Sequence, residues 1–251
     1  MRAVILAGGK GTRLRPYTSI LPKPLVPVGD RPVLELILRR LAAAGARRVD
    51  LCVGHLGELI QVYFSQNSNL PDDLDLRWHR EVEPLGTAGA LRTVPDLDST
   101  FVVMNGDVLT TVDFQALLEF HREQEALLTI AMCSQRVDLQ LGVIQASNGR
   151  VVGYDEKPSL NFDVSMGIYV YEPRALSFLP DGACQLPELV LRLLEAGERV
   201  AACRSDALAY DIGTLEEHAA ASRHLEAEPE MFGFSADGAP SIEAAVPGAR
   251  C

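Results

Sequence analysis

The apolar run at residues 2–6 passes directly into Ala7-Gly8-Gly9-Lys10-Gly11-Thr12, and this junction constrains the fold more than any other segment. A short apolar run closed by glycines reads as a buried strand ending in a tight turn. Nucleotide-binding α/β folds often open this way, because glycines let backbone N–H groups approach a phosphate with no Cβ in between. The loop is not a P-loop, since no Gly-Lys-Ser/Thr follows at the required spacing. It also fails the dinucleotide fingerprint, because Leu14 stands where a third small residue is needed. Taken alone, it fits phosphate binding and a merely tight turn equally well.

The rest of the chain alternates β and α. Val33, Leu34, Ile37, Leu38 and Leu41 recur at helical spacing within residues 31–44, and Gly45 supplies a stop. Strands are expected at 49–53, 74–79, 100–104, 164–171 and 200–203, and helices at 56–64, 112–124, 186–196 and 215–225. Three short runs, 127–133, 141–146 and 151–155, follow one another with turn residues such as Ser147-Asn148-Gly149, which predicts an antiparallel insertion or edge on a parallel sheet. No repeat of fixed period is present, and the hexapeptide pattern of a β-helix is absent. The expected architecture is one α/β domain over residues 1–225, with helices on both faces of a mostly parallel sheet. Residues 226–251, rich in Ala, Gly, Pro and acids, are expected to form a loosely packed or partly disordered tail.

Charge narrows the partners. With 34 acidic against 23 basic side chains the chain carries a net charge of −11, which would repel a nucleic-acid backbone, so no nucleic acid is expected as partner. A small phosphorylated ligand needs only a local basic pocket. No stretch approaches the ~20 apolar residues of a membrane span, and residues 1–7 are too short for a secretory h-region, so no membrane association and a cytoplasmic location are expected. The five cysteines are far apart and form no C-x-x-C pair, which suggests neither a disulfide framework nor a zinc site.

Four segments carry charge where chemistry would need it. Arg13 and Pro22-Lys23-Pro24 put cations close to the glycine turn, and the prolines restrict the Lys23 backbone. Isolated, such residues are ordinary solvated loop cations; next to a polyphosphate they would supply the charge it requires. Asp107, after Asn105-Gly106, and Asp211, before Ile212-Gly213-Thr214, both sit at strand ends, where ligands collect in parallel sheets. Two carboxylates suit Mg²⁺ bridging phosphates; an Asx turn and a helix N-cap are the plain structural alternatives. Asp155-Glu156-Lys157-Pro158 places a cation where it reaches a second phosphate or caps a polar hairpin. Residues 81–90 join Glu81 and Glu83 to a run of small residues against which a flat base can lie. No G-x-S-x-G occurs, and the histidines lack metal-ligand spacing.

Taken together, Leu6-Ala7-Gly8-Gly9-Lys10-Gly11-Thr12-Arg13-Leu14-Arg15-Pro16 and Leu21-Pro22-Lys23-Pro24-Leu25-Val26-Pro27-Val28 resemble the signature of the sugar-1-phosphate nucleotidylyltransferases. Glu83-Pro84-Leu85-Gly86-Thr87-Ala88-Gly89, Asn105-Gly106-Asp107, Glu156-Lys157-Pro158, Gly167-Ile168-Tyr169 and Asp211-Ile212-Gly213-Thr214 resemble that family's later motifs in its order, so the resemblance covers about residues 1–225. It implies a Rossmann-like three-layer sandwich with an inserted antiparallel sugar-binding part, and transfer of a nucleotidyl group from an NTP to a sugar 1-phosphate with release of pyrophosphate. By motif position, Gly8, Gly11, Thr12 and Arg13 would hold the triphosphate, with Leu6, Ala7, Gly9, Glu81, Pro84, Gly86 and Thr87 beside the nucleotide. Lys23 would offset charge at the α-phosphate, and Asp107 and Asp211 would hold Mg²⁺. Lys157 would bind the sugar phosphate, with Asn105, Gly142, Glu156, Ser165 and Gly167 on the substrate side.

Three departures stand out. Ser165-Met166-Gly167 replaces the common Asn-Ala-Gly, Tyr210 stands where Trp is common before the second aspartate, and the β-helix of some relatives has no counterpart in the pattern. The combination of motifs looks most like the mannose and manno-heptose guanylyltransferase branch. GTP is also favoured chemically, because a carboxylate at Glu81 or Glu83 accepts from the two adjacent donors of guanine, and no Gln or Asn occurs from residue 81 to 90. Thymidylyl or uridylyl transfer and an inactive nucleotide-sugar-binding regulatory subunit are the competing readings; a homo-oligomer is compatible with all of them. A nicotinamide oxidoreductase lacks the required third glycine and the acidic ribose ligand.

Overall fold

The computed structural model describes residues 1–9, 11–14, 16–67 and 70–234. In chain order the elements are β1 (Arg2–Ala7), β2 (Pro27–Val28), β3 (Arg31–Pro32), α1 (Val33–Ala43), β4 (Arg48–Val53), α2 (Gly57–Asn67) and β5 (Asp75–Arg80). There follow α3 (Gly86–Gly89), β6 (Phe101–Asn105), β7 (Val108–Thr110), α4 (Phe114–Glu123), β8 (Leu128–Asp138), β9 (Val143–Ser147) and β10 (Arg150–Asp155). The last are β11 (Ser159–Tyr171), α5 (Leu186–Glu195), β12 (Val200–Arg204), β13 (Ala209–Asp211) and α6 (Leu215–Ala227).

Seven strands form one sheet in the order β12-β8-β11-β6-β1-β4-β5, parallel throughout except for β11, which runs antiparallel to both neighbours. Strand periodicity divides the core into two layers. Ala3, Ile5 and Ala7 of β1 pack with Val33, Leu34, Ile37 and Leu41 of α1, whereas Val4 points the other way, to a cluster with Phe101, Leu189 and Leu193. Helices therefore cover both faces, as the apolar runs imply. Of the three short runs expected as an antiparallel insertion or edge, β9 and β10 form a separate antiparallel hairpin, whereas β8 lies within the large sheet between β12 and β11. Both β8 and β11 are longer than their apolar runs. Residues 134–138 pair with 159–163 as an exposed ribbon, and a two-stranded ribbon wet on both faces leaves no alternating pattern to read. The β9–β10 hairpin turns at Asn148 and Gly149, both at positive φ, the geometry that favours Asn-Gly.

The packed body runs past residue 225. The helix α6 continues to Ala227, a 3₁₀ turn spans Pro229–Phe232, and the Phe232 and Phe234 rings are buried in the core beside α1. Two aromatics spaced one residue apart carry no helical period, so the tail's composition hides this anchor. Residues 235–251 lie outside the described residues. Cys52, Cys133 and Cys184 are free thiols. Among the described residues no helix is long and apolar enough to cross a membrane.

Asp50, fully buried on β4, ties three strands together. Its carboxylate accepts from Arg2 Nε of β1 at 2.8 Å, Arg48 Nη2 at 3.1 Å, and the His79 ring of β5 at 2.7 Å. Burial opposes ionisation, yet the hydrogen bonds from Arg2, His79 and Arg48 hold the carboxyl below the ordinary 3.8. A group with a depressed folded pKa adds stability that is present above its unfolded pKa and lost as pH falls through the folded one. Asp50→Asn is expected to cost about 3 kcal/mol at neutral pH, because Arg2 and Arg48 keep their charge without its counterpart. Urea unfolding of the two proteins at pH 7 and pH 3 checks this; the difference shrinks at the lower pH.

Candidate active site

The turn after β1 is shaped by contacts that only glycine permits. A Cβ on Gly8 would lie 2.5 Å from Glu81 Oε1. Gly11 has φ of +60°, and a Cβ there would press on Thr18 at 2.9 Å and Lys23 at 3.1 Å. Thr18 Oγ1 donates to the Gly11 carbonyl at 2.6 Å, and buried Leu14 anchors the 3₁₀ turn Thr12–Leu14. The loop is thereby held as a ledge over the ends of β1 and β4. Lys10 and Arg15 lie outside the described residues.

Lys23 is the centre of the site. Extended Pro22 delivers it into a 3₁₀ turn, Lys23–Leu25, in which only 8% of the residue remains exposed. Its ammonium donates to Asp107 Oδ2 and, at 3.1 Å, to Asp211 Oδ1. The two acids meet because the short strands β7 and β13 pair antiparallel, setting Asp211 opposite Val108, and Ile212 N donates to the Asp107 carbonyl at 2.8 Å. Neither acid serves as the helix cap: Thr214 caps α6 by accepting from Glu217 N. Exposed Arg13 completes the cluster, with Nη2 3.5 Å from Asp211 Oδ2.

Burial pushes the Asp107 carboxyl above its ordinary value, and the nearby Asp211 charge adds to the rise; the Lys23 charge and hydrogen bond oppose it. Two converging carboxylates, one of them poorly solvated, draw cations. Among the described residues no group of three or more His, Cys, Asp and Glu is placed to hold a metal ion. A pair that leaves most positions to water and phosphate oxygens nonetheless suits Mg²⁺, which takes few protein ligands, so the residues present fit that ion.

Beside this centre opens a cleft of about 910 Å³ at the carboxyl ends of β1, β4, β5 and β6. The end of β1 contributes Leu6, Gly8 and Gly9; the loop after β5 contributes Glu81, Glu83, Pro84, Gly86 and Thr87; the end of β6 contributes Asn105 and Asp107. Ala7 is buried beneath the turn, and Gly11, Thr12 and Arg13 stand outside the cleft wall, on the Lys23 side. Glu81 is half-buried. Its Oε2 accepts from Leu85 N at 3.1 Å, and burial raises its pKa against that bond.

The expected substrate-side residues divide. Gly167, at φ +72°, packs so closely on Asn105 that a Cβ would lie 2.8 Å from Nδ2, and Ser165 Oγ accepts from Gly167 N at 3.2 Å. Gly142, Glu156 and Lys157 instead flank the β9–β10 hairpin, where Gly142 makes room for Tyr154, whose hydroxyl donates to Glu156 at 3.0 Å. None of these three lines the cleft. A second hollow of about 390 Å³, at the opposite end of β8, holds charges already paired, Arg174 with Glu198 at 2.6 Å, and none of the motif residues.

Sequence reasoning missed Gln185, which reaches the cleft from the N-cap of α5. The nearest signal for it is Thr87, whose Oγ1 accepts from Leu186 N at 2.8 Å.

A doubly wound α/β sheet with a glycine turn, a lysine and two aspartates around a cleft at its carboxyl edge defines the class of protein. The family described as Nucleotidyl transferase matches residues 2–228, and the chain belongs to it. It is 32% identical to a UTP–glucose-1-phosphate uridylyltransferase of Synechocystis over 87% of this chain and 61% of that protein. It is 36% identical to a mannose-1-phosphate guanylyltransferase of Mycobacterium tuberculosis over 72% of this chain and 51% of that protein. The chain thus spans about half to three fifths of the length of these two relatives. The crystal structure of HddC from Yersinia pseudotuberculosis complexed with GMP-PN superimposes with a TM-score of 0.67, at 25% identity, over 89% of this chain and 99% of that one.

Proposed function

We propose that the chain transfers a nucleoside monophosphate, GMP by preference, from an NTP to a sugar 1-phosphate of the mannose or manno-heptose type. The observation that carries this reading is the buried ammonium of Lys23 bonded to both Asp107 and Asp211 beside a glycine-walled cleft. An oxygen of the sugar phosphate attacks the α-phosphorus in line; the bond from that phosphorus to the α,β-bridging oxygen breaks, and pyrophosphate leaves with the electron pair. The nucleophile is already an anion, so no side chain has to take a proton. What the site must overcome is repulsion between two anions and the entropy of aligning them. Lys23 and Arg13 supply positive charge, and the Gly8–Gly9 turn offers backbone N–H groups free of side chains. Asp107 and Asp211 would hold Mg²⁺, which when bound neutralises phosphate charge and orients the leaving oxygens.

For the base, Glu81 already spends one oxygen on Leu85 N, which leaves the exposed Glu83 in the cleft wall as the freer acceptor for guanine. The guanylyltransferase relative and the GMP-PN complex support GTP; the uridylyltransferase relative supports a UTP-dependent reading instead. A matrix of GTP, UTP, dTTP and ATP against mannose, glucose and manno-heptose 1-phosphates, scored by pyrophosphate release, separates them. GTP is expected to exceed UTP and dTTP by ~10²-fold in kcat/KM, since a pyrimidine carbonyl facing a carboxylate leaves both unpaired. Higher turnover with UTP or dTTP would discard the guanine assignment, and an unchanged GTP preference in Glu83→Gln would discard its cause.

A further inference from the structure

We infer that Gln185 screens the base: its side-chain amide offers donors only to the cleft and so admits bases with a carbonyl on the facing edge, guanine, uracil and thymine, over adenine and cytosine, which present an amino group there. This rests on the cleft being the nucleotide site. The orientation of the amide is dictated by Thr87. Thr87 Oγ1 accepts from Leu186 N at 2.8 Å, so its own proton is free and points to Gln185 Oε1 at 3.3 Å. Thr87 N, which can only donate, reaches the same Oε1 at 3.3 Å. Two donors on one side require the amide oxygen there; turned over, the NH₂ group would face two N–H or O–H protons.

The amide nitrogen is left with no acceptor among the described residues. It lies beside Gly86, where a Cβ would come within 2.9 Å of Nε2 and 2.5 Å of the Cys184 carbonyl. Gly86, at φ +77°, is therefore what lets the start of α5 close on the loop after β5, and Ala88 N and Gly89 N fasten that contact to the Cys184 carbonyl at 3.0 Å each. The α5 N-cap makes no use of the Gln185 side chain, because Thr87 caps the helix in its place. A long, exposed amide held by its oxygen and free at its nitrogen, in the wall of the cleft that Gly8 and Gly9 also line, is arranged to read an acceptor. Glu83 and Gln185 then divide the choice: the amide separates carbonyl from amino bases, and the carboxylate separates guanine from the pyrimidines.

The test compares the parent with Gln185→Glu and Gln185→Ala, measuring calorimetric affinity for GTP, UTP, ATP and CTP, kcat/KM with an accepted sugar 1-phosphate, and melting temperature. Glutamate keeps an oxygen for Thr87 and turns an acceptor to the cleft. Gln185→Glu is expected to shift the ratio of GTP and UTP to ATP and CTP by ~10²-fold toward the amino bases, and Gln185→Ala to flatten it by ~10-fold, with melting unchanged. Equal losses for all four triphosphates, or losses that track a lower melting temperature, would overturn the inference and leave Gln185 a structural residue of the loop contact. Binding of triphosphates with no preference for carbonyl bases in the parent would overturn it alone; binding of no triphosphate would overturn the nucleotide reading of the cleft as well.

Discussion

Asp107→Asn is expected to lower turnover by about 10³-fold while leaving the melting temperature within a few degrees of the parent, and Asp211→Asn to act in the same direction. Asparagine keeps the shape and removes only the charge. At Asp107 that charge is disfavoured by burial to begin with, so neutralising it costs the fold little, and Lys23 retains Asp211 as a partner. The chemistry loses one of two carboxylates that gather positive charge at the phosphates. Steady-state pyrophosphate release across a Mg²⁺ titration, together with thermal melting, checks both halves. Turnover near the parent's in either variant would remove that aspartate from the site, and a collapse in melting temperature would make its role structural.

Lys23→Met has the second largest expected effect, a loss of about 10²- to 10³-fold in kcat/KM. Methionine fills much the same volume on a similar stem, so the turn at Lys23–Leu25 is kept while the ammonium goes. Because Lys23 and Asp107 form one hydrogen-bonded ion pair, their effects should not add: Lys23→Met combined with Asp107→Asn is expected to lie within about tenfold of the weaker single variant. Multiplying losses would show that the two residues act independently.

Much of this site is legible along the chain because its parts are local. The glycines after β1, the prolines flanking Lys23, and acids closing apolar runs announce a charged loop cluster without any knowledge of contacts. What the chain does not announce is which of these meet. The Asp107–Lys23–Asp211 contact depends on β7 and β13, strands of three residues each, too short to leave a period. Gln185 is hidden for a different reason. Its neighbours in sequence read as an ordinary helix start, so the absence of an amide from residues 81–90 does not tell which amides line the cleft, because the N-cap of α5 brings one in from elsewhere. Gly142, Glu156 and Lys157 make the converse point, since a motif resemblance groups them with the site while they stand in the loops flanking the β9–β10 hairpin and outside the cleft wall. Phe232 and Phe234 show that a segment judged by average composition can still hold two core anchors.

The most direct test of nucleotidyl transfer follows two labels at once. With GTP labelled at the α-phosphorus and mannose 1-phosphate present, label is expected to pass into a nucleotide sugar in step with an equal amount of pyrophosphate, and to remain in GTP when the sugar phosphate is left out. Release of labelled GMP at the same rate with or without the sugar phosphate, or liberation of inorganic phosphate in place of pyrophosphate, would contradict it.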